Sequence, residues 1–177
     1  NEHIRHVLGG EGLQLLFRAD FCLLLGKNDE ARRYQARKTA LNEKIFEVFF
    51  DKNKGLFKTY AKKQGYSALG NALCVLCGAC PKEYAFSVAE KLAYGEEELL
   101  PNTLSMNIFR YDALLAVDRV KYGEFILSEI DETYGYMLSH GATSFWETLK
   151  GEADFDGAGS LCHGWSAIPI YYYHKYG

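Results

Sequence analysis

Nowhere in these 177 residues do the roughly 18 consecutive apolar residues of a membrane-spanning helix occur, so no membrane partner is expected. Positive charge is not in excess either. Twenty Lys and Arg stand against 23 Asp and Glu, a formal net charge of −3, and no basic stripe offers a footprint for nucleic acid. Arg32, Arg33, Arg37 and Lys38 share one helical stretch but are interleaved with acids, the pattern of a solvated face. Cysteine is odd in number, with five, mostly in apolar settings such as Phe21-Cys22-Leu23. That argues against a disulfide-stapled secreted scaffold and favours a reducing, cytoplasmic compartment. The first residues carry no signal-peptide pattern, which would hold equally for a piece of a longer chain. Tryptophan is scarce: both copies, Trp146 and Trp165, lie in one loose segment rich in Gly, Ser and Thr.

What the sequence does contain is helix. Hydrophobic residues make up 48%, enough for a substantial core. Leu13 to Leu25 is apolar nearly all round and closed by Gly26, which predicts a buried helix. Asn28 or Asp29 is placed to cap the next, where Tyr34, Leu41, Ile45, Val48 and Phe49 form one stripe. The period then breaks, with a short strand predicted around Leu56 to Tyr60. Helix resumes with Ser67 as a cap, and Pro81 suits the first turn of a helix ending at Gly95. Two more helices follow, the second placing Ile126, Ile130, Tyr134 and Met137 on one face. The last segment, 161–177, predicts an apolar, aromatic helix containing Pro169.

Nearly all-apolar helices thus alternate with amphipathic ones. The prediction is an all-α, two-layer array of about seven helices, apolar inside and amphipathic outside. No tetratricopeptide or ankyrin signature recurs, and seven helices make an open arc. A closed double ring of helix hairpins needs more chain.

Four groups are candidates for chemistry. Cys74, Cys77 and Cys80 recur every third residue, but an iron–sulfur cluster needs four ligands, and Cys80 runs directly into Pro81. Buried structural thiols are the better reading. Asp154 and Asp156 lack the following acid that a calcium loop requires, which leaves Asx turns. His3 and His6 have no further ligand in reach by sequence. No metal or cofactor is expected. Glu147 differs: beside Trp146, in a glycine-bounded loop, a carboxylate can be part-buried and tuned for acid–base work. His163 stands near the start of the last helix, placed to meet the same cavity. Trp146 and Trp165 are suited as apolar platforms for sugar faces. The plain alternative is that both tryptophans pin the loop and Glu147 caps a helix.

These residues resemble a known family. The stretch GATSFWE, Gly141 to Glu147, resembles the Gly-Ala-Thr-x-x-Trp-Glu segment of α-L-rhamnosidases of glycoside hydrolase family 78. GSLCHGWSAIPIYYY, Gly159 to Tyr173, resembles the Ser-x-x-His element that follows it, and YSALGNALCVLCG, Tyr66 to Gly78, an earlier small-residue inner helix. Residues 1–60 fit only by helical period. The resemblance implies an (α/α)6 toroid of six helix hairpins and inverting hydrolysis of terminal α-L-rhamnosides. It further implies Glu147 as general base, His163 as a sugar contact and Trp146 in the pocket wall; Trp165 is expected beside them as a substrate-binding residue from its type and setting.

The family's acidic motif, similar to Cys-Pro-x-Arg-Asp-Glu-Arg, has no counterpart here, because Cys80-Pro81 continues into Lys82-Glu83-Tyr84. Residues 1–177 are therefore expected to form a single α-helical domain, the C-terminal half of a catalytic barrel, holding the base without the acid. Its expected partners are carbohydrate and the remainder of the parent catalytic domain, and alone it is expected to be inactive. The alternative is a non-catalytic helical module of the same fold that binds carbohydrate or a partner.

Overall fold

The apolar spacing is realised as seven α-helices among the residues that the computed structural model describes, 4–61, 65–95 and 97–176. They are α1 (Ile4–Leu24), α2 (Asn28–Phe49), α3 (Ala68–Leu76), α4 (Lys82–Tyr94), α5 (Asn107–Val117), α6 (Arg119–Ser139) and α7 (Ile168–Tyr176). Helices α1, α3 and α5 pack in sequence against one another, and α7 joins them where the Tyr172 hydroxyl reaches the Ile108 carbonyl and Asp112. Helices α2, α4 and α6 form the second layer, each packed on the odd-numbered helix before it. This is the two-layer hairpin array expected of part of a toroid.

Small residues let the first layer close. Gly12 faces α3 so tightly that a Cβ there would stand 3.0 Å from the Cys77 Cβ. Helix α3 is the most enclosed, with Ala68, Asn71, Ala72, Leu73 and Cys74 all buried. Its Ser67 cap forms as predicted, the Gly70 amide donating to Ser67 Oγ at 3.2 Å. The predicted face of α6 is also buried at all four positions, Ile126, Ile130, Tyr134 and Met137.

Four local expectations are corrected. Helix α1 is not buried all round: Leu15, Ala19 and Cys22 are, but Phe17, Phe21 and Leu24 are 62%, 67% and 83% exposed. It stands at the end of the layer, with α2 and α3 covering one side only. Lys27, not Asn28 or Asp29, takes the cap position of α2; those two lie in the first turn, where Asp29 complements the helix dipole. Val48 leaves the predicted stripe for solvent, and Phe46 packs instead, stacked on Phe50 at 4.7 Å. The final helix starts at Ile168 rather than near residue 161, so Pro169 sits in its first turn, where a missing N–H costs nothing.

The connections between the two layers are unequal in length. Those leading from the first layer to the second are brief, at residues 25–27 and 77–81 and at Asp118. Those leading back, at residues 50–67, 95–106 and 140–167, are long, and their described residues form short strands and 3-10 turns. Strands β1 (Phe50–Asp51) and β2 (Leu56–Phe57) pair antiparallel in the first. Strand β3 (Tyr66–Ser67) pairs parallel with β4 (Leu99–Leu100), joining the start of α3 to the start of α5. A 3-10 turn at Leu104–Met106 then packs against another at Gly164–Ser166, joining the starts of α5 and α7. The long connections therefore form one continuous rim.

Cys74, Cys77 and Cys80 are buried, and burial pushes the Cys80 thiol up to about 12, which keeps it protonated. Among the described residues no group of three or more His, Cys, Asp or Glu is arranged to hold a metal, and no helix is long and apolar enough to cross a membrane. The side chains of the His3/His6 pair lie outside the described residues.

Candidate active site

The connection from α6 to α7 is built as two limbs tied side by side. Helix α6 ends where Gly141 turns left-handed at φ 81°, and the Ala142 amide donates back to the Met137 carbonyl at 3.0 Å. The outgoing limb, residues 144–148, then meets the returning limb, residues 160–163. The His163 amide donates to the Phe145 carbonyl at 2.7 Å, and the Glu147 amide to the Ser160 carbonyl at 2.9 Å. Ser144 Oγ adds a bond to the Leu161 carbonyl. Phe145 anchors the outgoing limb edge-on to Tyr134, with ring centroids 5.8 Å apart.

Between the limbs run two short 3-10 turns, Gly151–Ala153 and Phe155–Gly157. Asp154 Oδ1 accepts from the Phe155 amide at 3.0 Å, one residue on, so it holds the turn without forming the expected Asx turn, which bonds two residues on. The Thr148 hydroxyl and that amide together hold the Asp154 carboxyl below its ordinary range. Phe155 and Asp156 are left-handed at φ 52° and 58°, an uncommon conformation for residues with a Cβ. At the base of the loop the chain crosses itself glycine on glycine, since a Cβ on Gly159 would lie 1.9 Å from the Gly151 carbonyl oxygen.

Within this frame the residues singled out by sequence take distinct positions. Glu147 is half-buried, and its Oε2 accepts from the Ser160 amide at 3.3 Å, while Oε1 has no partner among the described residues. It caps no helix. His163 is half-buried on the facing limb, its imidazole edge-on to the Trp165 indole with centroids 5.4 Å apart. Trp165 itself is 80% exposed. Trp146 packs on the core and over Gly151, where an added Cβ would approach its ring to 3.3 Å. The fold therefore brings Glu147, His163 and Trp165 into one rim segment and uses Trp146 to hold that segment down.

The bacterial α-L-rhamnosidase six-hairpin glycosidase domain matches residues 15–176 of this sequence. The chain belongs to that family. Among solved structures it is similar to a family 78 rhamnosidase of Bacillus sp. GL1, with 25% identity and a TM-score of 0.76 over 88% of this chain and 17% of that one. It is also similar in fold to a rhamnosidase from Klebsiella oxytoca with rhamnose bound, with 19% identity and a TM-score of 0.75, covering 96% of this chain and 34% of the other. The rhamnosidase-like domain thus spans about a sixth and a third of the lengths of these two neighbours. No curated protein matches it.

Sequence reasoning about this rhamnosidase-like domain missed the bond from Ser160, the contacts of Phe145 and Ser166 with Tyr134, and the Gly151–Gly159 crossing. Ser160 stood inside a quoted motif, but its bond to Glu147 runs between limbs and leaves no local spacing to read. The hollows also lie elsewhere than expected. One of about 290 Å3, lined by Met137, Leu138, Ala142 and Thr143 among others, and one of about 340 Å3 between α6 and α7 open behind the loop, and neither is lined by Glu147 or His163.

The crossing makes a test of the loop independent of any activity. Gly159→Ala is expected to leave helix content unchanged by circular dichroism while accelerating limited proteolysis within residues 141–163 about tenfold, because the added methyl must open the crossing. Unchanged cleavage would show that the crossing does not hold the loop.

Proposed function

We propose that this chain is the C-terminal half of an (α/α)6 catalytic barrel whose parent protein removes terminal α-L-rhamnose from glycosides with inversion. Glu147 is the general base: it draws a proton from a water that attacks the anomeric carbon on the face opposite the leaving oxygen. Inversion needs the two carboxyls roughly 6.5–9.5 Å apart so that this water fits beneath the sugar. The general acid comes from sequence outside these 177 residues, since nothing in them matches the family's acidic motif. His163 binds a sugar hydroxyl, Trp165 contacts substrate, and Trp146 backs the wall of the pocket.

The observation that carries this reading is the reciprocal bonding of Glu147 and Ser160. The amide of Ser160 occupies Oε2 and leaves Oε1 for a water, while His163 is bound to the neighbouring limb two residues from Glu147. A carboxylate oriented through one oxygen keeps the other within hydrogen-bond reach of a water, which a general base needs. Membership of the rhamnosidase family, and the rhamnose bound in the Klebsiella oxytoca neighbour, support the choice of sugar.

The test follows phenyl α-L-rhamnoside hydrolysis by the full-length protein with proton NMR. The β anomer of rhamnose should appear first, and the 177-residue chain alone should give no turnover. Initial release of the α anomer would overturn inversion. Binding without turnover by the full-length protein would favour the non-catalytic module instead.

A further inference from the structure

We propose that Trp165 is the platform for the leaving group, selecting what is attached to the terminal sugar rather than the sugar itself. The inference rests on the rhamnosidase reading above and extends it to a second ring of the substrate. Its starting point is a contrast in exposure: Glu147 and His163 are half-buried, whereas Trp165, against the same histidine, is 80% exposed. An indole left in water recovers little of the free energy that burial would give it, so packing among the described residues does not explain its place.

Nor is it loose. Its 3-10 turn, Gly164–Ser166, closes where the Ser166 amide donates to the His163 carbonyl at 2.9 Å, and it is tied to the fold on either side, by the His163 amide to the Phe145 carbonyl and by the Tyr134 hydroxyl to the Ser166 carbonyl, both at 2.7 Å. Ser166 is wholly buried. The imidazole of His163 props the indole from the side at 5.4 Å and 67°. A rigid aromatic held in solvent is suited to stacking on a ring with a flat apolar face.

Position separates the leaving group from the terminal sugar. A site that removes a terminal sugar encloses that ring and opens toward its attachment, so groups around the ring are sheltered and those at the mouth are not. Glu147 and His163 are of the first kind and Trp165 is of the second. The neighbouring turn, Leu104–Met106, packs beside Gly164–Ser166 and extends the same rim with Met106, 40% exposed, and the hydroxyl of Thr103. An apolar surface edged by a neutral hydroxyl fits an aryl group or the apolar face of a second sugar.

The test is calorimetric and uses the full-length protein carrying Glu147→Gln, which prevents turnover during titration. Three ligands are compared: L-rhamnose, phenyl α-L-rhamnoside and an α-L-rhamnosyl-glucose disaccharide. With Trp165 present, at least one of the two larger ligands should bind about tenfold more tightly than rhamnose. Trp165→Ala should abolish that margin while leaving rhamnose affinity within about twofold, and Trp165→Phe should restore most of it. A margin confined to the phenyl ligand identifies an aryl leaving group, and one confined to the disaccharide identifies a glycosyl one. Equal weakening of all three ligands by Trp165→Ala, or no weakening, overturns the assignment. Failure of every ligand to bind overturns the rhamnosidase reading itself, and this inference with it.

Discussion

Glu147→Gln in the full-length protein is expected to lower kcat for an aryl α-L-rhamnoside by about 10²–10⁴ with KM little changed, the usual loss when a general base is removed. Glutamine keeps the size of the side chain and an oxygen able to accept from the Ser160 amide, so the two limbs stay tied. What it lacks is basicity: an amide cannot take the proton from attacking water. The substitution therefore separates holding the loop from performing the chemistry, which an alanine would confound. Turnover within a few-fold of wild type, measured by phenol release, would sink the assignment of Glu147. A rise in KM with kcat unchanged would recast it as a binding group.

The second large effect concerns stability. Arg110, on α5, forks onto Glu129 of α6, with Nη2 to Oε2 at 2.8 Å, and its Nε and Nη2 donate to the Leu92 and Ala93 carbonyls at the end of α4. The Tyr111 hydroxyl donates to the same carboxylate at 2.8 Å. The side chains of Arg110 and Glu129 are only 11% and 24% exposed, so this pair is shielded from water and joins three helices. Arg110→Ala strands a carboxylate and two carbonyls at once. The expected cost is about 3 kcal/mol, at the lower end for breaking a buried pair because Glu129 is partly wet. In a chain of this size that lowers Tm by about 6–12 °C. Replacing both partners by apolar residues, Arg110→Met with Glu129→Leu, should recover most of the loss, since no charge is then left unpaired. A fall of under about 2 °C for Arg110→Ala, followed at 222 nm, would mean that the pair contributes no more than an exposed one.

How much of this was legible in the sequence depends on the range of each interaction. The buried face of α6 and the Ser67 cap were legible, because helical period and capping act over three or four residues and leave that spacing in the sequence. Layer order was legible in outline from the alternation of apolar and amphipathic helices. The exposure of Phe17, Phe21 and Leu24 was not, because it depends on which helices stand beside α1 rather than on α1 itself. The Arg110–Glu129 pair was equally hidden, joining residues on different helices with no motif between them. In the candidate site, Glu147 and His163 stood out by type and setting, and the family resemblance named them. That Ser160 grips Glu147 was not visible.

The opposite fates of the two tryptophans show where the division falls. The sequence alone determined that both lie in one glycine-rich stretch, with a carboxylate directly after the first and a histidine two residues before the second, while it placed Trp165 at the start of the last helix. Only the tertiary structure decided that Trp146 packs down on Gly151 while Trp165 stands in solvent against His163. The limbs that carry them are paired by backbone hydrogen bonds between residues distant along the chain, and the crossing that permits this depends on the space left by a missing Cβ. Local periodicity encodes neither, because both come into being only when the two limbs meet.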